Sequence, residues 1–131
     1  MGLGAFAMTK DDEELCSLIA IAARNEFMTQ FRETRAPCKL KSNTSYRNDI
    51  HFRMMPAGDI KNMRHTWASE DANFNMLAMQ AVQRAQLPAF EGEGEVNILV
   101  SFRLDSDNLE DMRVEAELLP DHFIRTNTEQ R

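Results

Sequence analysis

The chain has 131 residues, enough for one hydrophobic core and too few for two independent ones. With 43% apolar and 27% charged residues it has the make-up of a soluble folded domain, not of a disordered one. A net charge of -6, with basic residues scattered among acids, argues against general nucleic-acid binding and against adhesion to an anionic membrane, both of which need clustered Lys and Arg.

The opening stretch MGLGAFAMTK lacks the basic start and long apolar core of a signal peptide, and the longest apolar run, residues 18–23, is too short to span a bilayer. The chain is therefore expected to be either cytoplasmic or a piece of a longer, anchored protein, with residues 1–8 disordered. A helix is expected from Thr9, whose hydroxyl can cap it while Asp11, Asp12, Glu13 and Glu14 load the first turn with charge that the helix dipole favours. Leu15, Leu18, Ile19 and Ala22 share one face, continued by Ala23, Phe27 and Phe31, and Pro37 sets an end near Thr34.

Residues 39–48 are polar and read as an exposed loop or short edge strand. Alternation then begins, with Ile50, Phe52 and Met54 on one side and His51, Arg53 and Met55 on the other. Pro56 and Gly58 suit a tight turn, so a hairpin is expected, its second strand passing through Met63, His65 and Trp67. Ser69 or Asp71 can cap a second helix through Phe74, Leu77, Ala78, Ala81, Val82 and Ala85, which Pro88 ends. After the acidic connector EGEGE, the segment VNILVSFRLD carries the clearest strand alternation, Val96, Ile98, Val100, Phe102 and Leu104 against Asn97, Leu99, Ser101 and Arg103. Residues 106–131 are expected to be an acidic tail with a short helix before Pro120 and a frayed end.

This α-β-β-α-β order predicts an α+β two-layer sandwich: a three-stranded antiparallel sheet with both helices packed on one face. His51, Arg53, Leu99, Ser101 and Arg103 would then occupy the other, wetter face.

Catalytic and metal chemistry find little support. The chain has no HExxH, no nucleophile elbow and no Gly-rich phosphate loop. His51 and His65 could meet across the hairpin, with Arg53 beside them, yet they have no third metal ligand; His122 stands apart. DSDNLED, residues 105–111, resembles a calcium loop but lacks its Gly. Glu91, Glu93 and Glu95 lie in a connector that would not hold two carboxylates at a set separation. The nine methionines are read as core filling in preference to a pliant binding surface. A straight helix reaching Thr34 carries the chain roughly 27 Å beyond Cys16, of which the four extended residues to Cys38 recover only about 14 Å, so an internal disulfide needs a shorter or bent helix and free thiols are favoured. No enzyme activity, cofactor or metal is expected.

A three-stranded sheet must leave a long strand at its edge, open to an extended partner or covered by the acidic tail. The last strand supplies that candidate edge: Val96, Asn97, Ile98, Leu99, Val100, Ser101, Phe102 and Arg103, with Asn97, Leu99, Ser101 and Arg103 offering the side chains a partner would read.

Over residues 9–105 the chain resembles the C-terminal domain of the TolA and TonB family of envelope energy transducers. The resemblance rests on MMPAGDI as the hairpin, AMQAVQRAQLPAF as the second helix with its Leu-Pro exit, and VNILVSFRLD as the final strand. The first helix, SLIAIAARNEFMTQF, is more similar to TolA, and the final strand to TonB. The resemblance implies a periplasmic domain of an inner-membrane-anchored protein, gripping periplasmic or outer-membrane partners by strand addition and open to use by bacteriocins or phage coat proteins. It implies neither nucleic-acid binding nor membrane insertion by this chain. The family's cysteine positions, on the first strand and second helix, are not those of Cys16 and Cys38, so its disulfide does not carry over, and the tail has no counterpart. A structural or adaptor subunit of a secretion or conjugation system is the alternative.

Overall fold

A computed structural model describes residues 10–34, 40, 41 and 43–120. The expectations for the extreme N-terminus, Thr9, Pro37, Cys38, His122 and the frayed end lie outside these residues. Helix α1 (Lys10–Glu33) opens on Asp11, Asp12 and Glu13 and buries Leu15, Cys16, Ile19, Ala23, Phe27 and Met28. Strands β1 (Tyr46–Met54) and β2 (Ile60–Trp67) form the expected hairpin. Its turn is closed by hydrogen bonds from Gly58 N to Met55 O and from Met55 N to Asp59 O, both 2.8 Å. Gly58 is required twice over: its φ is +99°, and a Cβ there would meet Leu87 O at 2.8 Å.

Helix α2 (Ala72–Arg84) starts at Asp71, whose side chain accepts from Phe74 N at 2.9 Å. It ends before the expected Pro88. Strand β3 (Val96–Leu104) has the predicted span. The tail departs from expectation: a 3-10 turn (Leu109–Asp111) leads not into a helix but into a fourth strand, β4 (Arg113–Leu119).

The fold is α+β, with two helices and a four-stranded antiparallel sheet in the order β2-β1-β3-β4. The expected three strands are thus corrected to four. The extra strand comes from residues that alternate Val114, Ala116 and Leu118 with Arg113, Glu115 and Glu117, a period of two that acidic composition obscures.

One core joins both helices to one side of the sheet, with Ile50, Phe52, Met54, Ile98, Val100, Phe102 and Leu104 fully buried. Phe27 stands at its centre, 5.3 Å from Phe74 and 5.5 Å from Phe102 between ring centroids. Offset aromatic contacts of this kind add to what burial alone contributes. α1 lies against β4 and α2, and α2 against β1, so the opposite sheet face carries no helix of the described residues. None of the helices described is long and apolar enough to cross a membrane.

Candidate functional site

The strand registers define the helix-free face row by row. Trp67, Asp49, Ser101 and Glu115 stand in one row, Arg64, His51, Leu99 and Glu117 in the next, and Lys61, Arg53, Asn97 and Leu119 in a third. The placement of His51, Arg53, Leu99, Ser101 and Arg103 on this face agrees with the alternation in the sequence.

Its centre is drier than expected. His51 is only 2% exposed, and Asp49 and Asn97 are also buried. His51 Nε2 lies 3.1 Å from Asn97 Oδ1; with that oxygen accepting, Nε2 carries the proton and Nδ1 has no hydrogen-bond partner among the described residues. Burial lowers the pKa of His51, the Asn97 hydrogen bond partly opposes this, and Arg64 and Arg53 reinforce it, so the ring is neutral at pH 7. Arg47 pairs with Asp49 at 2.7 Å and lies 5.0 Å from the centroid of the Trp67 ring, which is 55% exposed. Lys61 and Arg53 both reach Glu95 and hold its carboxyl below the usual range, Lys61 contributing most.

The sequence-predicted docking strand is corrected by this topology. Residues 96–103 lie inside the sheet: β3 pairs with β1 along its length and with β4 from Asn97 to Arg103. Its amides and carbonyls are committed on both flanks, so an extended partner cannot pair there. Ile98, Val100 and Phe102 face the core, Val96 is partly buried against it, and only Asn97, Leu99, Ser101 and Arg103 project to the helix-free side. The chain's own residues 113–119 occupy the border that the expected partner would have taken.

The borders of the described sheet are therefore β2 and β4. β2 is irregular: its pairing with β1 shifts register between Asp49 and Ile50 and again between His51 and Arg53, and Asn62 has φ of +56°. β4 pairs with β3 over seven consecutive residues without a shift.

The direction of its outer hydrogen-bonding groups follows from Cys16. The thiol is pushed up to about 11, mainly by burial and next by Asp12, while a hydrogen bond with the Leu118 backbone acts the other way. A bond that lowers a thiol pKa favours the thiolate, so Leu118 N–H donates to the sulfur and points away from β3. Alternation then turns the amides of Ala116 and Val114 outward as well. No other backbone group among the described residues takes them.

The remaining sequence candidates disperse. His65 does not meet His51: it pairs with Ile50 on the core side, where its Nδ1 lies 2.9 Å from Asn48 Oδ1. The face site of His51, His65 and Arg53 is thereby excluded as a constellation. No group of three or more His, Cys, Asp or Glu among the described residues could hold a metal ion. In residues 105–111 the polar groups serve the turn, with Asn108 Oδ1 accepting from Glu110 N and Ser106 Oγ bonding Asp111.

Glu91 and Glu93 join Asp11, Asp12 and Glu14 around an open cleft of about 540 Å³ at the far end of β4. Its floor includes Leu15, Phe90 and Leu118. The β4 residues were missed by the sequence reading, although the alternation in RVEAELL marked them. No family model, curated protein or solved structure matches the chain.

Proposed function

We propose that this chain is a non-enzymatic protein-interaction domain that receives an extended segment of a partner protein at the β4 border. The observation that carries this reading is β4 itself, a border strand that pairs with β3 over seven residues without a register shift, with α1 holding its outward groups only at the two ends, at Leu118 and Met112. Main-chain pairing to such a border supplies affinity, and alternate side chains supply choice. The mechanism is the strand addition expected from the sequence, moved from β3 to the strand that follows it. A periplasmic setting with outer-membrane, periplasmic, bacteriocin or phage partners rests only on the resemblance to TolA and TonB domains.

Selection of seven-residue extended peptides from a display library on the intact chain tests the reading. Selected peptides are expected to slow exchange of the Val114 and Ala116 amides and to lose binding to Ala116→Pro, which removes an outward donor. Unchanged affinity for a folded Ala116→Pro chain would refute strand addition.

A further inference from the structure

We infer that the helix-free face of the sheet is complementary to itself and docks a second copy of this chain, with β2 of each copy lying over β4 of the other. The contact uses the face of the sheet and not its β4 border, so it stands or falls apart from strand addition.

Charge on this face is divided between its two halves. On the β2 and β1 half, Arg47 is neutralised by Asp49, Lys61 and Arg53 share the one carboxylate of Glu95, and Arg64 has no ion pair among the described residues. Two positive charges are left over, one from the Glu95 group and one from Arg64. On β4, Arg113 is answered by Asp105, while Glu115 and Glu117 are exposed and in no ion pair among the described residues. Two negative charges are left over there.

The middle of the face carries little charge. His51 is neutral and lies against Asn97, with Leu99 half-buried beside it. Trp67, the one tryptophan of the chain, is exposed on the β2 side. An uncharged centre, a large aromatic and charged margins are the make-up of a protein interface.

Two such faces stack about 10 Å apart, related by a two-fold axis that runs either across the strands or along them. An axis across the strands sets β2 over β2 and β4 over β4, like charge on like. An axis along the strands reverses the order β2-β1-β3-β4 of the second copy, so β2 meets β4 and β1 meets β3. Each row then meets itself reversed. Arg64 faces Glu117 of the second copy, His51 faces its Leu99, and Trp67, with Arg47 over its ring, faces its Glu115. At the end row of Arg47, Arg103 and Arg113, only Arg103 lacks a carboxylate among the described residues, and it is exposed to solvent. A partner of uniform charge, such as a nucleic acid, would be repelled by one half of the face; a second copy matches both.

The test is sedimentation velocity of the full chain from about 1 μM to 1 mM, the range of weak to moderate association. A monomer to dimer equilibrium is expected, weakened by salt, with Trp67 emission shifting to the blue as dimer forms. Arg64→Glu alone, and the double variant Glu115→Lys, Glu117→Lys alone, should each weaken dimerisation roughly tenfold or more, since each sets like charges across the seam. Mixed in equal amounts, the two variants should form a heterodimer within about threefold of the parent affinity, because opposite charges face each other again at both seams. Recovery on mixing also shows that both variants are folded.

A chain that stays monomeric throughout, a dimer that neither variant weakens, or variants that do not recover when mixed would each overturn the inference. A dimer lost in Ala116→Pro but kept in Arg64→Glu would be an edge pairing at β4 and would overturn it too. So would heparin binding to a monomeric chain, abolished by Arg64→Glu, which would assign the face to an anionic partner.

Discussion

At the β2 border the chain interrupts its ladder twice and turns Asn62 into the left-handed region, whereas the β4 border runs straight for seven residues. Both edge a sheet that one sequence must keep from pairing indiscriminately. β2 is guarded by its own irregularity and by Lys61 and Arg64, devices that spoil a template for pairing. β4 is instead braced from α1: Cys16 takes the Leu118 amide at one end, and Arg24 donates to Met112 O and Glu110 O, both at 3.1 Å, at the other. Between those braces the strand stays regular and its outward amides stay in line. One border is spoiled for pairing by its own irregularity; the other stays regular beside a helix that takes its outward groups at both ends.

The largest effect should come from removing the anchor of β4. Met112, 3% exposed in the core at the strand's entrance, loses its packing in Met112→Ala, expected to cost about 2–5 kcal/mol in a urea titration. Exchange in β4 should quicken before exchange in β2. If the two borders loosen together, they do not behave as separate units. Arg24→Ala removes the clamp at the same end and should cost about 1.5 kcal/mol, again with faster exchange concentrated in β4. At the other border, Asn62→Val puts a β-branched side chain at φ +56° and should cost about 1–2 kcal/mol, while Asn62→Gly should be tolerated. Equal stabilities of the two Asn62 variants would show that the twist of β2 does not depend on this residue.

The sequence revealed the interior of the sheet better than its boundary. Hydrophobic alternation over β3 located the strand to the residue, Gly58 marked a turn, and Ser69 or Asp71 marked a helix start, of which the structure uses Asp71, because each has a local chemical reason to be there. Which strand lies at the border is a matter of pairing between segments far apart in the chain, and no local pattern in β3 could report that β4 would cover it. The acids of RVEAELL also weakened its apparent strand character, since Glu is poor in strands unless one face meets water, as it does here. The burial of His51 was equally hidden. It follows from the Asn97 contact, which joins positions 46 residues apart.

That buried histidine offers the smallest but most local probe of the contrast between the borders. His51 is neutral in the fold because burial depresses its pKa, whereas in the unfolded chain it titrates near 6.5, roughly the unperturbed value. Below that pH the unfolded state takes up a proton that the native state refuses until its own lower pKa is reached. Stability from this group is therefore present above about pH 6.5 and falls as the pH drops toward the folded pKa, by at most about 1.4 kcal/mol per pH unit. His65, whose pKa burial also lowers, acts in the same direction. Thermal unfolding followed by circular dichroism should give a lower Tm at pH 5.5 than at pH 7.5, with a smaller drop in His51→Gln. Because His51 pairs with Arg64 of β2 and is flanked by Arg53, its protonation adds a third positive charge on the β2 side of the sheet. Acid should thus quicken amide exchange in β2 ahead of β4; the reverse order would mean that the straight border, not the bulged one, is the weaker side of the sheet.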